Sequence, residues 1–353
     1  MAENWLGTID DCTFDPFRPC QCPSSRDWRQ YMETMAKYRD ALPQLTGTLF
    51  LTQGGMETTL IFNEGIALPD FAAFHLLKTA QGTSTLTDYY TTYAGLAKRR
   101  GTGLILESAT WRANADWGAR LGYSPSDLFA VNQKAMALLE SVRAEHEASP
   151  TKIVLSGCIG PRGDAYRPST VMSDRDAQQY HRPQVEAFAS SGADMVSALT
   201  MNDAEEATGV ALAARELAMP VVISFTVESD GTLPTGQTLP SAIQQVDAAT
   251  SSYPSYYMIN CAHPSHFMHV LATREAWLAR IRGLRANASR RTHAELDGAV
   301  DLDTGDPAAL GREYAMLCAV LPRLNVLGGC CGTDHRHIEQ IAEACQPIVR
   351  RRE

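Results

Sequence analysis

No stretch of the chain approaches the ~18 consecutive apolar residues that a membrane-crossing helix needs, so no membrane partner is expected. Cations do not predominate either. Lys and Arg number 31 against 40 Asp and Glu, a net charge of −9, which argues against nucleic acid or an anionic lipid surface. The opening residues, Met-Ala-Glu-Asn-Trp, lack the basic start and apolar stretch of a secretion signal, and a cytoplasmic protein is expected. Internal repeats and low-complexity stretches are missing too. What remains is an ordinary globular balance, 44% hydrophobic and 20% charged. At 353 residues two domains would fit, but a barrel of ~250 residues folds as one. Nine cysteines, an odd number in an expected reducing compartment, suit metal binding or catalysis better than a disulfide framework.

Residues 1–45 differ from the rest and read as an N-terminal extension. Cys12, Cys20 and Cys22 stand among Pro16, Pro19 and Pro23, and an amphipathic run over residues 28–42 reads as one helix. The cysteine spacing fits no common zinc finger, and an arm lying over the main domain is expected. From Thr46 a β-then-α rhythm sets in. Short runs rich in Val, Ile, Leu or Met predict strands at 48–52, 103–107, 152–156, 194–198, 220–225, 256–260, 280–284 and 325–327, dense enough to be buried on both faces. Between them, Leu86, Tyr89, Tyr90, Tyr93, Leu96 and Ala97 recur at helical steps until Gly101. Ser126 is expected to cap a helix carrying Leu128, Val131, Ala135, Leu138 and Val142. Asp203 opens a helix over 204–218, Pro307 starts one carrying Leu310, Tyr314 and Leu317, and Thr333 or Asp334 caps the last. Eight such units predict an α/β fold, a (β/α)8 TIM barrel over residues 46–353, with functional residues on the loops after the strands.

Cysteines sit at two of those strand ends. Gly328-Gly329-Cys330-Cys331-Gly332-Thr333 follows the eighth strand, and Asn260-Cys261 follows the sixth. Glycines on both sides let the backbone turn sharply, and barrel geometry brings both ends to one mouth. Three protein ligands with an open fourth position is the pattern of a catalytic zinc. Three thiolates leave the ion a modest Lewis acid that favours a soft fourth ligand, a substrate thiol above all. Such a thiol, with an ordinary pKa of ~8.5, would be deprotonated by the metal and become a nucleophile. Read from the residues alone, the same cysteines also fit buried small hydrophobes or a strained vicinal disulfide between Cys330 and Cys331.

Together, Gly328–Thr333, Asn260-Cys261 and Gln53-Gly54-Gly55-Met56 resemble the homocysteine S-methyltransferase family. The similarity runs from about Thr46 to Pro347 and takes in residues 156–161 and 223–226. It implies a zinc (β/α)8 barrel with Cys261, Cys330 and Cys331 as Zn²⁺ ligands, and methyl transfer to a thiol, homocysteine giving methionine. A departure accompanies it. Family members usually carry Asp where Gln53 stands and an acidic pair where Leu199-Thr200 stands, and those acids hold the substrate amine. An ammonium placed between Gln53 and Leu199 would lose both counter-charges. Either another acid substitutes or the acceptor is a different thiol. Glu107, at the end of the second strand, is preferred as the substitute, and Glu57 reads as a helix-start charge.

The remaining candidates are weaker. Gln53, Gly54, Gly55, Thr200, Asn260 and Asn287 are candidate substrate contacts, with Thr226 beside them. Cys158 reads as buried packing, and Cys318 and Cys345 as helix core. His263, His266 and His269 step along a helix away from the mouth and read as solvated surface, as do His335 and His337. Trp111, Trp117 and Tyr166 could offer cation–π contacts to a cationic methyl donor. The expected partners are thus a small thiol acceptor and a sulfonium or betaine-type donor, and a homo-oligomer is left open. The sequence holds no Gly-rich nucleotide loop at a strand–helix junction and no Asp-x-His-x-x-Gly cobalamin motif, so S-methylmethionine or a related sulfonium is the first choice of donor. Two rival readings are a zinc hydrolase, against which thiolate-only ligation argues, and a non-catalytic zinc or thiol sensor.

Overall fold

A computed structural model describes residues 36–167, 172–273, 275–297, 299 and 301–352. Eight parallel strands close a barrel in sequence order: β1 (Phe50–Leu51), β2 (Gly103–Glu107), β3 (Ile153–Ile159), β4 (Met195–Met201), β5 (Val221–Phe225), β6 (Tyr256–Asn260), β7 (Ile281–Ala286) and β8 (Val326–Gly329). Eight main helices follow them: α1 (Ala80–Arg100), α2 (Pro125–His146), α3 (Asp174–Ala189), α4 (Ala204–Glu216), α5 (Leu239–Thr250), α6 (Pro264–Leu271), α7 (Pro307–Val320) and α8 (His335–Arg350). None of the described helices is long and apolar enough to cross a membrane.

Strand side chains alternate between two apolar regions. Leu104 and Leu106 of β2, Ile223 and Phe225 of β5, and Tyr257 and Ile259 of β6 pack outward under the helices. Their neighbours Ile105, Val222, Tyr256 and Met258 point inward, where with Phe50, Val154, Met195 and Val326 they fill the lower barrel. One inward step higher the barrel turns polar, through Thr52, Glu107, Ser156, Ser197, Ser224, Asn260 and Arg285, all buried. That change of character from floor to mouth is what makes the upper end a site.

Four strands run further than their sequence suggested, β7 and β8 by two residues each. β3 extends to Ile159 and β4 to Met201, so Leu199 and Thr200 lie inside β4. Gly157 looks like a strand end, yet it is glycine because Phe188 of α3 lies where a Cβ would stand, only 2.4 Å away. β1 is shorter than expected, two residues. Asp203, Pro307 and Asp334 begin their helices as anticipated. Ser124, not Ser126, caps α2: Pro125 takes the first helical position, and Asp127 closes a capping box with Ser124.

Residues 36–42 form turns and bends, not the continuation of a helix over 28–42. The rest of that run, with Cys12, Cys20 and Cys22, lies outside the described residues. The turns are pinned by the barrel. Arg39 donates to the carbonyls of Ala189, Ser191 and Ala193, and the Tyr38 backbone N–H donates to Asp194. Leu42 then plugs the apolar barrel floor. Asp194 itself is fully buried, taking hydrogen bonds from Arg143 at 2.8 Å and from the Leu155 N–H at 2.8 Å. Replacing Asp194 by Ala should therefore lower the unfolding free energy in urea by about 3–5 kcal/mol, since a buried guanidinium loses its counter-charge. A loss below about 1 kcal/mol would equate the pair with a surface bridge and remove it from this account.

Candidate active site

The mouth is built where β6, β7 and β8 end. Cys261, just past β6, holds a left-handed backbone with φ of 58°, unusual for a side chain with a Cβ. Three bonds hold it there. Its N–H donates to the Arg285 carbonyl at 3.0 Å, and its own carbonyl accepts from Asn287 Nδ2 at 2.9 Å and His293 Nε2 at 2.6 Å. Cys330 and Cys331 follow β8. The Cys330 N–H donates to the Ala286 carbonyl, and the Ala288 N–H donates to the Cys331 carbonyl. Gly332, at φ of 78°, lets the chain leave this turn, and Thr333 folds back to donate to the Cys330 carbonyl at 2.7 Å.

The result is a cup of three sulfurs. Cys261 Sγ lies 2.6 Å from Cys330 Sγ and 3.6 Å from Cys331 Sγ, and all three fall within 4.8 Å of one another. All six cysteines among the described residues are free thiols, so no Cys330–Cys331 disulfide forms. Tetrahedral zinc with Zn–S bonds of ~2.3 Å needs sulfurs ~3.8 Å apart, a spacing these side chains reach with little movement. Cys261, Cys330 and Cys331 could therefore hold one soft divalent cation, and no other described group of His, Cys, Asp or Glu is so placed.

The electrostatics fit that use. Donation from the Cys261 and Cys331 thiols, with the Arg285 charge nearby, pulls the Cys330 thiol well below its usual range. Cys261 moves the other way, because its thiol donates to Cys330 and Cys331, is buried, and would have to ionise beside that anion. One thiolate forms readily and its neighbours resist, which is the behaviour of a cluster awaiting a cation. Tyr166, stacked on His293 with ring centroids 4.0 Å apart, donates its hydroxyl to Cys261 Sγ at 3.1 Å.

Beneath the cup lies Arg285, a residue the sequence reading did not single out. It pairs with Glu107, and its Nε donates to the Gly329 carbonyl at 3.0 Å while Nη2 donates to that of Gly54 at 3.3 Å. Its clue was present: a charged residue one inward step beyond Gly283, at the mouth end of a barrel strand. His293 was also missed, and its short helical turn after β7 carries no sequence signal. Gly55 presses so close to the cup that an added Cβ would sit 2.5 Å from the Cys330 carbonyl.

The expected residues gather around this centre in supporting positions. Gln53 donates to the Glu107 carbonyl at 3.1 Å. Asn260 locks Thr200 from both sides, donating to its hydroxyl at 2.8 Å and accepting from its N–H at 2.9 Å, and reaches 3.9 Å from Cys330 Sγ. Cys158 is buried outside the sulfur trio, and Cys318 and Cys345 are core. Three histidine expectations are corrected. His263 is buried against Glu313 at 3.2 Å and caps α6, His266 is buried and bonds the Arg290 carbonyl, and His337 is buried in the cap of α8; each is polar but serves a helix end or loop. Trp117 is not free for a ligand cation, since Arg112 and Arg120 lie 3.8 Å and 4.6 Å from its ring centre.

Glu57 stands in the short helical turn Met56–Thr58 after Gly55. It lies deep among protein atoms yet remains reachable by solvent, and burial, with the Cys330 charge adding, pushes its carboxyl up to about 7 against the pull of Arg285 and Arg112.

A profile of the family described as homocysteine S-methyltransferase matches residues 50–345. No curated protein sequence matches the chain. Among solved structures, the homocysteine methyltransferase MmuM of Escherichia coli in its oxidised form superposes with a TM-score of 0.67 at 21% identity, covering 86% of this chain and 98% of that one. Its metallated form gives 0.65 at 20% identity, with 87% and 98% covered. At these identities the superpositions establish a shared fold. The profile runs from β1 through most of α8 and takes in all three clustered cysteines, so the chain belongs to the homocysteine S-methyltransferase family and is an S-methyltransferase.

Proposed function

We propose that this protein is a zinc-dependent methyltransferase that moves a methyl group from a sulfonium donor, S-methylmethionine before S-adenosylmethionine or a betaine-type donor, to homocysteine, giving methionine. The observation that carries the reading is the meeting of Cys261, Cys330 and Cys331 in one cup at the barrel mouth. Membership of the family supports the acceptor, and the likeness to an E. coli enzyme solved in a metallated form supports the metal.

Bound at Cys261, Cys330 and Cys331, zinc would supply deprotonation of the acceptor thiol near neutral pH. The chain's own residues do the rest. Arg285 holds the glycine turns of β1 and β8 at fixed distance, so acceptor and donor meet in a preformed cleft. The Tyr166 hydroxyl, already bonded to Cys261, steadies the sulfur side of the mouth. In transfer, the acceptor sulfur attacks the methyl carbon and the donor's carbon–sulfur bond breaks. The electron pair stays with the donor, which leaves as a neutral thioether, and the thiol's proton has gone to solvent. No side chain needs to take a proton at that moment.

Purified protein should carry about one zinc per chain and form methionine from homocysteine and S-methylmethionine, read by metal analysis and mass spectrometry. Cys330→Ala should lose both metal and turnover, and a variant that kept both would remove the cup from the mechanism. Asn287→Ala tests the support behind it. Losing the bond to the Cys261 carbonyl should weaken zinc about 10–100-fold in a chelator competition while the thermal transition stays near that of the wild type. Unchanged zinc affinity would show that Asn287 does not position Cys261.

A further inference from the structure

Cys261 stands in a left-handed backbone conformation, which a residue with a Cβ keeps only where its surroundings hold it there. Its carbonyl is gripped from two sides, by Asn287 Nδ2 at 2.9 Å and by His293 Nε2 at 2.6 Å. Asn287 follows β7 directly, so the strand itself places it. His293 comes from further along the same loop, on a helical turn of five residues, and needs a support of its own.

Glu228, in the loop after β5, provides it. Its Oε1 lies 3.3 Å from His293 Nδ1. A carbonyl and a carboxylate can only accept, so both ring nitrogens donate, and neither is left to bind a metal. Each end of this strut is fixed locally. The Glu228 N–H donates to the Thr232 carbonyl at 2.7 Å, and its carbonyl accepts from the Gly231 N–H at 2.9 Å. Before His293, the N–H and hydroxyl of Thr292 donate to the Glu295 carboxylate at 2.8 Å and 2.9 Å. The ring itself is buried and stacked on Tyr166 from the loop after β3, whereas Glu228 is part exposed at the rim. One imidazole thus ties three loops to the backbone from which the Cys261 sulfur hangs.

We propose that Glu228 and His293 act as a positioning pair for the metal cup. Glu228 orients the imidazole, the imidazole holds the Cys261 carbonyl, and the Cys261 sulfur is thereby kept where it shares a cation with Cys330 and Cys331. The assignment rests on the reading above only in that these three sulfurs bind a metal. It makes a carboxylate at the rim, two contacts removed from the sulfurs, a determinant of metal affinity. Contacts behind a ligand act in this way because they fix the direction in which its donor atom points.

The test reads the metal, not turnover. Zinc affinity is measured by chelator competition on wild type, His293→Phe, His293→Gln and Glu228→Ala, with thermal unfolding of the zinc-free proteins alongside. Phe keeps a ring against Tyr166 and has no donor, whereas Gln has no ring and offers an N–H near the place of Nε2. His293→Phe should weaken zinc about 10–100-fold, Glu228→Ala about 10-fold, and His293→Gln should keep most of the wild-type affinity. Cobalt(II) in place of zinc gives a second reading. Its sulfur-to-metal charge-transfer band should lose intensity in His293→Phe and Glu228→Ala and keep it in His293→Gln, a pattern that a general loss of stability does not produce. Wild-type affinity in His293→Phe or in Glu228→Ala overturns the assignment, as does equal loss in His293→Phe and His293→Gln. Where a ring variant does not fold, Glu228→Ala at its part-exposed position decides alone. A wild type that takes up no metal overturns this assignment together with the reading above, whereas metal held equally by wild type and variants overturns this assignment only.

Discussion

One arginine ties the mouth of this barrel together. Arg285 lies on β7 between the strands that end in cysteine. Its side chain pairs with Glu107 of β2 and reaches the carbonyls of Gly54 after β1 and Gly329 of β8, while its backbone carbonyl receives the N–H of Cys261 after β6. A buried guanidinium demands Glu107 and the two glycine carbonyls, because any donor left bare in the interior is costly, while the backbone bond to Cys261 ties in β6. Together these bonds fix the turns of β1, β6 and β8 relative to one another. The sulfur cup is thus a by-product of solving a burial problem one layer below it.

The chemistry follows from what that layer supports. Three thiols close enough to share protons form one thiolate easily and the others reluctantly. A divalent cation removes the conflict, and the resulting electron-rich centre favours sulfur as its next partner. The apolar floor below, sealed by Phe50, Met195, Tyr256 and Leu42, contributes rigidity and no chemistry. Above it, the polar layer hands over to glycines and cysteines, where backbone can approach a ligand.

Much of this was legible in the residues. Strands buried on both faces read as short apolar runs, and their count alone pointed to closure. The cysteine pair between glycines, and the Asn-Cys after β6, marked the site because both lie at strand ends. Other features were hidden for physical reasons. The expected third strand stopped at residue 156, yet Gly157 lies inside β3 and makes room for Phe188. Arg285 lay one residue past the expected strand, so its inward direction went unnoticed. His263 and His337 look like surface residues by helical spacing, yet each is buried in a helix cap. Residues 36–42 read as helix, but tertiary bonds from Arg39 and Tyr38 outweigh the local tendency.

The central claim is that three sulfurs of this chain share one metal and leave a place for the acceptor's sulfur. X-ray absorption at the zinc edge measures it most directly, on the protein alone and again with L-homocysteine added. The account predicts three sulfur neighbours at ~2.3 Å beside one lighter atom, becoming four sulfurs when the thiol binds. A first spectrum with fewer than three sulfurs, or a second that does not change, would contradict it.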